Sequence, residues 1–80
     1  MMDNDNYYKT SDLPLATTLS LYFPIESIDA SDNKRVFFVF QQSQELNDVV
    51  DMFWRGEVTV DPQKYFSQLK VIKSRIYSRL

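Results

Sequence analysis

The sequence predicts a small α+β domain in the order β-α-β-β-α-β-α, and three observations carry that prediction. The first is the run Val36-Phe37-Phe38-Val39-Phe40. Strand side chains alternate between the two faces of a sheet, so Val36, Phe38 and Phe40 fill one face while Phe37 and Val39 fill the other. Residues 34–40 are therefore expected as the central strand of an antiparallel hairpin, apolar on both faces and covered on both. The second is a set of three segments whose apolar residues recur at the helical period, giving three amphipathic helices to pack around that strand. The third is punctuation: the three prolines and the single glycine all fall where an element should start or stop.

Residues 1–6 are polar and acidic and read as a frayed or disordered N-terminus, leaving residues 7–80 as one α+β domain. Tyr7-Tyr8-Lys9-Thr10 is β-prone and suits a short first strand. Ser11 or Asp12 caps a first helix, with Pro14 tolerated in its first turn. Leu15, Leu19 and Phe23 recur at i, i+4, i+8 beside Ala16 and Tyr22, a stripe of about three turns. Pro24 ends it by pushing Phe23 out of the α region. Thr17, Thr18 and Ser20 are mediocre helix formers, so packing must help to hold this helix.

Ile25–Ala30 reads as the less buried partner of the central strand, joined to it through the turn cluster Ser31-Asp32-Asn33. Ser43 caps a second helix, with Glu45 in the first turn where the helix dipole favours an acid. Leu46, Val49, Val50, Phe53 and Trp54 share one face of it, and Gly56 sits where a left-handed C-terminal cap belongs. Glu57-Val58-Thr59-Val60 alternates and is expected as a short strand able to pair with residues 7–10. Asp61-Pro62 opens a last helix running to about Ser78, with Tyr65, Leu69, Ile72, Ile76 and Leu80 as its stripe and Phe66 and Tyr77 beside it.

Eighty residues make one domain near the lower size limit for a core without staples, and twelve aromatic residues help to fill it. Cysteine and histidine are absent. That removes a disulfide framework, a thiolate nucleophile, Cys/His zinc sites and the commonest general base. One glycine cannot build a phosphate loop. Asp48 and Asp51 lie three apart on the polar side of the second helix, where both carboxylates are solvated, and Asp29 and Asp32 serve the hairpin turn. The expectation is a chain that is not an enzyme and takes no cofactor, metal or small-molecule substrate. With no apolar leader in residues 1–12 and no run of ~20 apolar residues, a cytoplasmic protein without a membrane partner is expected.

Net charge is −2 but unevenly spread. Residues 1–53 carry nine acids against three bases, and residues 54–80 carry two acids against six bases. Such asymmetry suits a solvated surface, an interaction face or head-to-tail self-association. Two candidate surfaces follow. Tyr7, Tyr8, Tyr22, Trp54, Tyr77 and Leu80 exceed what so small a core encloses, and aromatic residues are enriched at protein interfaces. Lys34, Arg35, Lys64, Lys70, Lys73, Arg75 and Arg79 are candidate phosphate contacts, split by helical angle into Lys64, Arg75 and Arg79 on one flank and Lys70 and Lys73 on the other. The first set makes a module that binds a protein partner or its own copy the leading expectation. The second makes a nucleic-acid-binding accessory protein the alternative. Lys34-Arg35 before an aromatic strand faintly echoes RNA-recognition motifs, but the glycine or alanine those place between their aromatics is missing.

Tyr8-Lys9-Thr10-Ser11-Asp12-Leu13, Arg35-Val36-Phe37-Phe38-Val39-Phe40, Val60-Asp61-Pro62-Gln63-Lys64-Tyr65-Phe66 and Leu69-Lys70 follow one another in that order. In this the chain resembles a family of short bacterial and phage-associated proteins known only as a domain of unknown function, from Tyr7 to Tyr77. It departs from that pattern at Phe23-Pro24, where the family usually carries glycine. The resemblance implies a stand-alone domain of microbial or mobile-element origin and supplies no activity and no site residue.

Overall fold

The computed structural model describes residues 6–32 and 34–79, with the side chain of Arg79 excepted. It contains β1 (Tyr7–Thr10), α1 (Leu13–Ser20), β2 (Ile25–Asp29), β3 (Phe37–Gln41), α2 (Gln44–Trp54) and α3 (Pro62–Arg79). The fold is α+β, a three-stranded antiparallel sheet in the order β1-β3-β2. Apart from Asn6, the expected frayed segment 1–6 lies outside the described residues, as does Leu80. Asn6 itself extends the sheet, since the Gln42 backbone N–H donates to its carbonyl at 3.0 Å.

β3 is the central strand, but it begins at Phe37; residues 34–36 belong to the hairpin loop. That loop is tied by the two aspartates. Asp29 Oδ1 accepts from the Ser31 N–H and hydroxyl, and Asp32 Oδ1 accepts from the Lys34 N–H. Carboxylates that satisfy nearby backbone donors in this way compete with ladder pairing. The strand consequently starts only where the loop ends.

The two faces of β3 differ. Opposite Phe40 stand Tyr8 and Ile25, and opposite Phe38 stand Thr10 and Ile28. This face meets Leu15, Ala16 and Leu19 of α1, Leu46 of α2 and Ile72 of α3 in one buried cluster. Opposite Val39 on the other face stand Lys9 and Ser27, with Asp29 opposite Phe37 and Tyr7 opposite Gln41. No helix residue joins that set. The expected cover on both faces is thus corrected: helices cover one face, and polar side chains cover the other. Lys9 Nζ reaches across the central strand to Asp29 Oδ2 at 3.4 Å, and Val39 beneath is only 7% exposed. The aliphatic stem of a lysine shields apolar surface while its ammonium stays wet, so a strand apolar on both faces needs a layer of helices on one side only.

α1 is shorter than its stripe implies. Asp12 is its cap, accepting the Leu15 N–H at 2.9 Å. The helix stops at Ser20, and the Tyr22 and Phe23 N–H groups then donate to the Leu19 carbonyl in a tightened last turn. Phe23 still packs against the core, from beyond the helix. Thr17 and Thr18 are buried, their hydroxyls donating to the Leu13 and Pro14 carbonyls. Back-bonding to the preceding turn satisfies each hydroxyl and lets two poor helix formers sit inside the core.

The other helix ends are as the sequence predicts. Ser43 Oγ accepts from the Leu46 N–H at 3.1 Å, and Asp61 Oδ1 accepts from Gln63 and Lys64 ahead of Pro62 at the first helical position. Gly56 has φ +71°. Its N–H donates to the Phe53 carbonyl and that of Glu57 to the Met52 carbonyl, the paired bonds of a Schellman cap. The strand expected at 57–60 does not form. Pairing with residues 7–10 would require the segment to reach the outer edge of β1, and the chain has only these few residues to pass from α2 to α3. It crosses the helical side instead, where the Tyr22 hydroxyl donates to the Thr59 carbonyl at 3.2 Å.

Candidate functional site

A helix displays residues i, i+4, i+7 and i+11 along one side. On α3 that set is Phe66, Lys70, Lys73 and Tyr77, lying more than about a third of a turn from the buried Ile72. All four are exposed, Phe66 at 57% and Tyr77 at 70%. Lys70 Nζ stands 4.7 Å from the centre of the Phe66 ring, a cation–π distance that holds the ring and the charge together. At 1.5 Å per residue the stripe is about 16 Å long. Among the described residues no carboxylate lies within 4.0 Å of any α3 cation, the ion pairs being Lys9–Asp29 and Arg55–Glu57.

The remaining expected interface residues are scattered. Tyr7 is exposed on the helix-free face of the sheet. Tyr8 is on the opposite face, half-buried against the core, so it is a packing residue rather than a surface one. Its phenol is pushed above its ordinary value of 10.0, by burial first and by the Asp12 carboxylate second. Tyr22 is exposed but held by Thr59. Trp54 is 62% exposed and meets Phe53 edge to face with ring centres 5.0 Å apart. Leu80 lies outside the described residues.

The expected phosphate contacts divide by position. Lys34 and Arg35 line a groove with Ser11, Leu13, Val36 and Ile76, placing the hairpin loop beside the C-terminal half of α3. Lys64 lines a separate groove with Tyr22, Val60 and Asp61 at the other end of the helix. Lys70 and Lys73 share the aromatic stripe, whereas Arg75 points from another side of α3. The Arg79 side chain lies outside the described residues. One dense cationic surface does not result.

Phe66 belongs to the site although the sequence placed it only beside the apolar stripe. Its spacing to Lys70 and Tyr77 was the available signal. α2 carries a second stripe with the same spacing: Gln44, Asp48, Asp51 and the capping Arg55. All four are exposed, and Gln44 Nε2 donates to Asp48 Oδ1 at 2.9 Å. α1 packs against both α2 and α3, so the helices that carry the acidic and the basic stripe both adjoin it. Asp48 and Asp51 stand in open solvent with nothing to desolvate them. Among the described residues no group of three or more Asp or Glu gathers in metal-binding geometry, and no helix is long and apolar enough to cross a membrane.

No curated protein and no solved structure matches the chain. The family model described as "Domain of unknown function (DUF5659)" matches residues 5–78, which takes in every element of the fold but the last residue of α3. The chain belongs to that family, the DUF5659 domains of unknown function.

Proposed function

We propose that the chain is a non-enzymatic interaction module, cytoplasmic and of bacterial or phage setting, that binds a protein partner or its own copy through the outer side of α3. The observation that carries this reading is the stripe Phe66, Lys70, Lys73 and Tyr77, two rings and two ammonium groups exposed together. Aromatic side chains bury a large area at small entropic cost, and flanking cations add selectivity for acidic partners. Catalysis has little to work with: there is no histidine or cysteine, and the acids of α2 are solvated. The test is capture by the immobilised chain from an extract of its source cells. A protein retained by the wild type and reduced at least tenfold by Phe66→Ala with Tyr77→Ala supports the module. Equal capture by both overturns it.

The alternative, a nucleic-acid-binding accessory protein, is favoured by one arrangement: Lys34 and Arg35 share a groove with Ile76 of α3. Phosphate binding would be salt-sensitive, weakened by Lys34→Glu with Arg35→Glu at that groove and by Lys70→Glu with Arg75→Glu along α3. A gel shift at low salt on single- and double-stranded oligonucleotides decides it, and no shift excludes this reading.

A further inference from the structure

Resting on the module reading, we infer that the occupant of the α3 stripe is the α2 helix of a second copy of the chain, lying antiparallel to it. Gln44, Asp48, Asp51 and Arg55 repeat the i, i+4, i+7, i+11 spacing of Phe66, Lys70, Lys73 and Tyr77, so the two stripes have equal length, about 16 Å. Laid side by side, they pair two carboxylates with two ammonium groups at the middle. The spacing is the same read in either direction, so direction is set by the helix dipoles, which antiparallel packing opposes. This packing places Asp51 against Lys70, Asp48 against Lys73 and Arg55 at the Phe66 end of the stripe. Parallel packing would align the two dipoles instead.

The contact joins two different surfaces of the same chain, so each copy offers one stripe and receives the other. Charge reversal tests this directly. Sedimentation of the wild type at low salt should show mass rising with concentration, and the rise should fall away at high salt as exposed charges are screened. Asp48→Lys with Asp51→Lys, and separately Lys70→Glu with Lys73→Glu, should each weaken association at least tenfold; circular dichroism of these exposed-site variants checks that they stay folded. Mixed, the two variants meet through one native stripe pair and one charge-reversed pair, both complementary, so they should associate with each other although neither does so alone. For direction, Lys73→Glu should rescue Asp48→Lys better than Lys70→Glu does. A wild type that stays monomeric to millimolar concentration, or a mixture no more associated than its parts, overturns the second copy as occupant. Should capture sensitive to Phe66 and Tyr77 persist in that event, the module stands with another partner. Loss of both removes both readings.

Discussion

The two faces of β3 bear the same kinds of side chain and meet opposite surroundings. Phe38 and Phe40 look into a core built by all three helices, while Phe37 and Val39 look out past Lys9, Ser27 and Asp29. Hydrophobicity alone therefore does not determine which face of a strand becomes the core. What decides it is how many residues the rest of the chain can place over each face. Three helices suffice for one, and the other is closed by side chains of the sheet itself.

The largest contrast should appear on truncating one ring from each face. Phe38, 1% exposed, should cost roughly 3–5 kcal/mol on Phe38→Ala. Phe37→Ala on the outer face should cost less than about 1 kcal/mol, the usual range away from a core. Paired denaturant melts measure both, and equal losses would mean that the outer face is covered as well. Val39 sharpens the comparison, being enclosed without helices. Val39→Ala should cost about 1 kcal/mol, less than two buried methyl groups imply, because the mobile Lys9 stem can close the gap. Smaller again is the ion pair above it. Lys9→Ala should change stability by no more than about 1 kcal/mol, and by less as salt is added, as exposed pairs do.

The faces also respond at opposite ends of the pH scale. Tyr8 on the helical face has a raised phenol, so its contribution is fully present below its ordinary value of 10.0 and is lost as pH rises through the folded-state value. Tyr8→Phe should flatten the alkaline limb of a stability–pH profile. Asp29 on the outer face is held below its ordinary 3.8, by the Ser31 hydroxyl first, then by the Ser31 N–H, with Lys9 adding less and partial desolvation opposing. Its contribution is present above that ordinary value and disappears as pH falls through the folded one. Asp29→Asn should flatten the acid limb, and Ser31→Ala should do so in part.

Features resting on a few adjacent residues were legible in the sequence. Ser43, Asp61-Pro62 and Gly56 announce helix ends because a cap bonds within its own turn. Val36–Phe40 announces a central strand because no other arrangement hides so much apolar surface in five residues. The missing strand at 57–60 was not legible, since alternation shows what a segment tolerates and not whether the chain's path brings it to a sheet edge. Nor was the polar cover of Val39, which depends on a lysine and an aspartate 20 residues apart meeting across a third strand. In the candidate site, the exposure of Trp54 and Tyr77 follows from aromatic surplus. The inward turn of Tyr8 follows only from the β1–β3 register. Phe66 was readable by angle with Lys70, yet a phenylalanine near an apolar stripe is more readily taken for core.

β2, the outer strand of the hairpin, carries an irregularity between Ile25 and Ser27 that leaves Glu26 unpaired and exposed. An extra residue bends a strand and breaks its row of donors and acceptors, and a carboxylate there repels a second copy of the same edge. Along this edge, growth of the sheet from one molecule into the next, the first step toward a cross-β fibril, is opposed. Stripe-to-stripe contact between helices can then be measured at high concentration without fibre formation along that edge.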